Sequence, residues 1–354
     1  MIRTLASLAV LIFAQPALAQ ASAAVASGKV APSPLSPGEI VAAAPASEWV
    51  RIAPSDLLVM DLAPDAKAKP RRVVIQLTPP PFSQGWIGNI RKLAAAHWWD
   101  GLSVNRVQDN YVAQWGDADG GDNAKARALP RSILPIAQSE FELAGIDAHR
   151  FGVLYHMAMS RRRTLAVDIL EQLKSLPKGT PVYIPPPRAP DPRDFRDQYS
   201  SSQGFFQGWP VAEGSEASVW PVHCYGMVGV GRDLPPNTGS GAELYIVIGH
   251  APRHLDRNIA LVGRVIEGIE HLSSLPRGAG ALGFYETPEE RTKILSVRLG
   301  PEIAGLPAYE YLSAESDTFA RYADARANRR DPFFIKPAGG ADICNIPVPV
   351  RRVK

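Results

Sequence analysis

Cysteine is scarce in this chain, with only Cys224 and Cys344 among 354 residues. That count permits one bridge between the two, or two buried thiols packed as small hydrophobes, and no other pairing. The bridge is the preferred reading for an exported chain, and it would tie the C-terminal tail to the start of the apolar stretch after Trp220. Charge of one sign is also lacking. The net charge is +3, or +2 once the N-terminal segment carrying Arg3 is set aside, so no basic footprint for nucleic acid is present. No apolar run approaches the roughly 20 residues needed to span a bilayer. The seven histidines (His97, His149, His156, His223, His250, His254 and His271) show no metal-ligand spacing. Gly229-Val230-Gly231 lacks the rest of a dinucleotide fingerprint, and Asp117, Asp119 and Asp122 lack the closing glutamate of a calcium loop. Ser160-Arg161-Arg162-Arg163 is too short a basic run to be more than a solvated face. No metal and no cofactor is therefore expected.

What is there begins with an export signal. Arg3 forms the positive region, Leu5 to Ala14 the apolar core, and Ala17-Leu18-Ala19 a small-x-small cleavage site. Residues 1–19 are expected to be removed, leaving a periplasmic or secreted chain that starts at Gln20. Residues 20–47, rich in Ala, Ser, Pro and Gly, read as a flexible leader. Two strands follow at Asp56–Asp61 and Arg72–Leu77, then a helix over Ser83–Ala96 with Ile87, Ile90, Leu93 and Ala94 at helical spacing. His97 to Gly101 turns the chain into a strand that carries Arg106, Tyr111, Val112 and Gln114.

From Asp122 to Val222 the composition changes, and this stretch reads as an insertion of about 100 residues, longer than ordinary loops. It holds a helix at Leu165–Leu176, a stiff proline connector at Ile184–Pro192, and a loop from Tyr199 to Trp220. Strand pattern returns at Cys224–Arg232, Glu243–Ile248, Leu261–Gly268 and Thr292–Leu299, with a short helix at Ile269–Leu275. Residues 301–354 read as a C-terminal extension with a helix over Pro307–Arg330. Many short strands with few helices point to a mainly β, closed antiparallel barrel.

Three blocks occur in the order found in cyclophilin-type peptidyl-prolyl isomerases. They are Asn89 to Asp117; Gly226 to Arg232 with Pro236-Asn237-Thr238 and Gly241 to Ile246; and His254-Leu255-Asp256 with Leu261 to Gly268. The chain resembles that family over roughly half its length. The resemblance implies a closed eight-stranded antiparallel barrel capped by two helices, spanning residues 48–300 with the insertion at about 122–222. It implies isomerisation of Xaa-Pro bonds, with proline-containing peptides or unfolded exported proteins as partners.

The chemistry needs no nucleophile, because no bond breaks. The barrier of about 18–20 kcal/mol comes from amide resonance, and a fixed guanidinium beside an apolar cleft can favour the twisted amide. By the resemblance Arg106 is the catalytic arginine and Gln114 orients it. Tyr111, Val112, Tyr245, His254 and Leu255 line the proline pocket, while Gly231 and Arg232 receive the substrate backbone. The family's usual residues are replaced at several points. Val104-Asn105 stands for Phe-His, Tyr111 and Tyr245 for two phenylalanines, Val112 for methionine, and Glu243 for glutamine. Ile259 stands for a histidine, and His254 for the tryptophan of many members, so poor cyclosporin sensitivity is expected. The two tyrosine hydroxyls are expected to face water or substrate. Glu243 is expected either to pair with Arg106 at the substrate site or to lie exposed on its strand. The alternative function is a catalytically weak binding or chaperone module on the same barrel.

Overall fold

The computed structural model describes residues 33–144, 197–214 and 218–353. The signal at residues 1–19, the basic run at 160–163, the helix expected at 165–176 and the connector at 184–192 lie outside them. The chain divides into Met1–Ser33 and Pro34–Lys354, and everything below concerns the second unit.

It opens with α1 (Pro37–Ala42) and β1 (Trp49–Arg51), then the hairpin of β2 (Leu57–Leu62) and β3 (Arg71–Leu77). Helix α2 (Gln84–Ala95) precedes a second hairpin, β4 (Ser103–Val107) and β5 (Val112–Gly116). The insertion supplies β6 (Ser202–Phe206), β7 (Trp209–Glu213) and β8 (Val219–Pro221). Next come β9 (Met227–Val230), β10 (Leu244–Val247), β11 (Leu261–Glu267), α3 (Glu270–Ser273) and β12 (Thr292–Leu299). The tail holds β13 (Tyr309–Leu312), α4 (Asp317–Ala327) and β14 (Val350–Arg352).

Eight strands close an antiparallel barrel in the order β10-β5-β4-β12-β2-β3-β11-β9. Strand alternation explains its filling. Ala113, Trp115, Leu244 and Ile246 join Leu58, Met60, Val73 and Ile75 in the interior, and the residues between them face outward. Helix α2 buries Trp86, Ile87, Ile90, Leu93 and Ala94 into the same core, as its 3.6-residue spacing requires. The second capping helix is a single turn, α3, with Leu272 buried.

The flanking segments depart from expectation. Residues 37–42 are helical rather than part of a flexible leader, because Ser36 and Glu39 form a reciprocal capping box and Ile40 is buried. Tyr199 to Trp220 contains a three-stranded sheet, β6-β7-β8, rather than a loop. The helix expected over Pro307–Arg330 is confined to α4, and the residues before it form β13, which pairs with β1 and β14. The local pattern was misleading because these pieces complete one another. Ile40, Trp49, Phe205, Trp209, Trp220, Leu312, Phe319, Tyr322 and Ile346 share a single second core drawn from the leader, the insertion and the tail.

Two pins join this second core to the barrel. Arg264 on β11 is buried, donates to Gln76 Oε1 and to the Gly208 carbonyl, and lies over the Trp209 ring. The other is a disulfide between Cys224 and Cys344, residues 120 apart in sequence. Closing a loop of that length restricts the unfolded chain, so Cys224→Ser/Cys344→Ser is expected to lower stability by about 2–4 kcal/mol. Urea unfolding of the pair variant beside the parent measures this; equal midpoints would refute it.

Candidate active site

A one-residue irregularity decides the site. Between β4 and β5, Val104 pairs with Trp115 but Arg106 pairs with Gln114, so Asn105 is an extra residue on β4. This bulge lets Val104 and Val107 both enter the barrel core while Arg106 turns to the outer wall opposite Gln114. Arg106 and Gln114 therefore lie not on one strand, as the sequence pattern implied, but across a hairpin whose turn carries Tyr111. Gln114 in turn pairs with Tyr245 on β10, and Tyr245 with Gly229 on β9. One register row thus crosses four strands on the outside of the barrel.

Arg106 is held from three sides. Its Nη1 donates to Gln114 Oε1 at 3.2 Å, its Nε to the Leu282 carbonyl at 2.8 Å, and its Nη2 to Gln108 Oε1. The guanidinium also lies 5.3 Å from the Phe284 ring centroid and 5.7 Å from that of Tyr111. Half-burial lowers its pKa from the ordinary arginine value, although Tyr111 opposes the shift.

Beside it, Val112, Tyr245 and Val247 form a buried apolar floor edged by Tyr111, Leu255 and Ile259. His254 is exposed and stacks on Tyr111 with ring centroids 6.3 Å apart. The structure thus brings Arg106, Gln114, Tyr111, Val112, Tyr245, His254 and Leu255 to one face. Gly231 and Arg232 follow β9. The Gly231 amide donates to the Glu243 carbonyl at 2.8 Å, and Arg232 is turned to the carbonyls of Asn258 and Asp233.

Two expectations are corrected here. The Tyr245 hydroxyl does not face water or substrate. It crosses Gly229, where a Cβ would come within 2.3 Å of it, and meets His223 Nε2 at 3.1 Å. His223 Nδ1 lies 2.9 Å from Asp256 Oδ1, so the tautomer that donates to Asp256 leaves Nε2 to accept from the tyrosine. Asp256 also accepts from Arg253 Nε at 2.7 Å, and Arg253 Nη2 reaches Asp197 at 2.6 Å. Burial opposes ionisation of Asp256, but the bonds from His223 and Arg253 hold its pKa below the ordinary carboxylate value. The pocket floor therefore presents a tyrosine ring whose polar end is tied into a buried chain.

Glu243 neither pairs with Arg106 nor lies exposed. Its carboxylate fills the place a Gly116 side chain would occupy, since a Cβ there would fall 2.1 Å from Oε1. It accepts from the Asp117 amide at 2.6 Å, and the side chains of Gln114 and Asn105 lie near enough to favour its charged form. Burial is the main cause that pushes its pKa up to about 7, the Asp117 charge adds to it, and the hydrogen bonds oppose it.

Sequence reasoning missed Gln108, Leu282 and Phe284 around Arg106, and the His223–Asp256–Arg253–Asp197 chain. Gln108 could have been found by alternation, two residues beyond Arg106. Leu282 stands 176 residues from Arg106 and carries no local signal.

The chain matches the family model described as cyclophilin type peptidyl-prolyl cis-trans isomerase over residues 85–299, more than half its length. Among solved structures it is similar to cyclophilin AquaCyp293 from Hirschia baltica. That match has 20% identity and a TM-score of 0.55, and covers 86% of this chain and 94% of that one. A Cryptosporidium parvum cyclophilin type peptidyl-prolyl cis-trans isomerase, solved in the presence of the dipeptide Ala-Pro, is 10% identical. There the TM-score is 0.34 and the coverage 68% of this chain and 98% of that one. Among curated protein sequences none matches. With the closed barrel and the matched family model together, the chain belongs to the cyclophilin-type peptidyl-prolyl cis-trans isomerase family.

Proposed function

We propose that this protein accelerates cis-trans isomerisation of Xaa-Pro bonds in exported proteins, with Arg106 favouring the twisted prolyl amide and Gln114 orienting it. The observation that carries this reading is the single outer face on which Arg106 and Gln114 adjoin the Val112–Tyr245–Val247 floor. The floor takes the proline ring, and Tyr111, His254 and Leu255 form its rim. Rotation makes the prolyl nitrogen pyramidal and basic, and a guanidinium N–H can then donate to it. Of the five N–H groups of Arg106, three are engaged, which leaves one on each terminal nitrogen for substrate among the described residues. Because the guanidinium is pre-oriented, little reorganisation accompanies the reaction.

Gly231 and Arg232, at the end of β9, flank the path of the substrate backbone. The decisive assay is the rate of proline-peptide isomerisation by the parent and by Arg106→Ala; no acceleration by the parent would leave the binding or chaperone module. Export rests on the signal pattern of residues 1–19, and the disulfide suits an oxidising compartment. The exported protein is expected to begin at Gln20, which N-terminal sequencing of the periplasmic fraction checks; an intact N-terminus in the cytosol would overturn it.

A further inference from the structure

Glu243 stands behind Gln114 rather than in the cleft, and this changes what it can do. Gln114 has two polar ends. Its Oε1 accepts from Arg106 Nη1, and its amide nitrogen lies at the other end beside Gly231 and Glu243, where it favours the charged carboxylate. The carboxylate is an acceptor only, so it dictates that the amide nitrogen faces it and the carbonyl oxygen faces the guanidinium. A reversed amide would set two donors against each other at Arg106. We propose that Glu243 is a positioning residue that acts on Arg106 through Gln114, and that it does so as the carboxylate. The proposal rests on the reading of Arg106 as the isomerising group and adds to it a residue that never touches substrate.

A second observation concerns the neutral form. Asn105 Oδ1, beside Glu243, is buried without a hydrogen-bond partner among the described residues. A protonated Glu243 has one O–H to donate, and reversal of the Asn105 amide would offer Oδ1 as its acceptor. Asn105 is also the bulge residue next to Arg106. The neutral form thus has a place for its proton, while Gln114 loses the charge that enforces its orientation.

The charged groups around Glu243 come from three elements. Asp117, at the end of β5, opposes ionisation and is itself held by the Arg127 amide. Arg106 lies on β4 beyond Gln114, and Arg232 follows β9 with its guanidinium on the Asn258 and Asp233 carbonyls. None of the three arginines pairs directly with the carboxylate, and burial pushes its pKa up to about 7. The change of state therefore falls near neutral pH.

The test follows exchange of a blocked Xaa-Pro peptide by NMR from about pH 5 to about pH 9, with the Arg106 Nε–H signal recorded on the full chain. In the parent, kcat is expected to rise about threefold to tenfold through a midpoint near 7, with KM nearly constant. The Arg106 signal moves with the same midpoint. In Glu243→Gln both profiles are flat, since an amide does not titrate. A midpoint that survives in Glu243→Gln overturns the proposal. So does a parent Arg106 signal that stays still across the interval, a measurement that requires no variant to fold. Absence of peptide exchange at every pH would instead refute the isomerase reading, and the Arg106 signal would still decide the relay.

Discussion

Arg106→Ala is expected to lower kcat/KM on a Xaa-Pro peptide by about two to three orders of magnitude, the usual loss when one donor to a developing charge is removed. The effect is large because Arg106 is the cation that stands beside Gln114 and the apolar floor. Gln114 can hold a carbonyl oxygen, but it has no charge with which to favour a basic prolyl nitrogen. The three bonds to Leu282, Gln108 and Gln114 hold the guanidinium in place before substrate arrives. Arg106→Lys should recover little, since an ammonium cannot reproduce that planar fork. The loss belongs in kcat rather than KM, because the apolar floor binds proline in either variant. A protease-coupled assay at micromolar protein checks both variants. An Arg106→Ala protein as fast as its parent would show that the arginine is only a wall residue.

Arg253→Ala is expected to cost about 3–5 kcal/mol of stability, the usual result of breaking a buried ion pair from one side. Arg253 and Asp197 are each 3% exposed at the side chain, and Asp256 is 4% exposed. Removing the cation leaves two carboxylates facing each other out of water. The pH dependence has a definite sign. The pKa of Asp256 lies below its ordinary value in the folded parent, so its contribution is present above the ordinary carboxylate range and lost as pH falls through the folded value. Without Arg253 that contribution shrinks to what the His223 bonds supply, so parent and variant should differ most near neutral pH and converge in acid. Urea unfolding at about pH 7 and about pH 4 measures the difference. The change should also reach the cleft. His223 would lose part of the frame that aims its Nε2 at Tyr245, so KM should rise in variant protein that remains folded. A penalty independent of pH would mean that lost packing, not lost charge, dominates.

Much of this architecture was legible in the sequence because barrel strands and the capping helix announce themselves locally. Leu57–Leu62, Arg71–Leu77 and Thr292–Leu299 show the apolar pattern of barrel strands, and the buried residues of α2 recur at its own period. The residue types for an outer apolar floor with one arginine were also readable, in three blocks of the right order. Other features had no such signal. Ile40, Trp209 and Phe319 belong to one core, yet each sits in a segment that alone resembles a linker, a loop or a tail.

The sequence by itself pointed to the closed antiparallel barrel, to most of its strand positions along the chain and to the chemical inventory of the outer face, because alternation and turn chemistry act between near neighbours. The tertiary structure decided which way that inventory points. The extra residue at Asn105 aims Arg106 outward, and Gly229 with His223 draws the Tyr245 hydroxyl away from the cleft. The space at Gly116 sinks Glu243 behind Gln114. Each outcome depends on a partner on another strand or loop, often more than 20 residues away, and spacing along a chain does not encode such meetings.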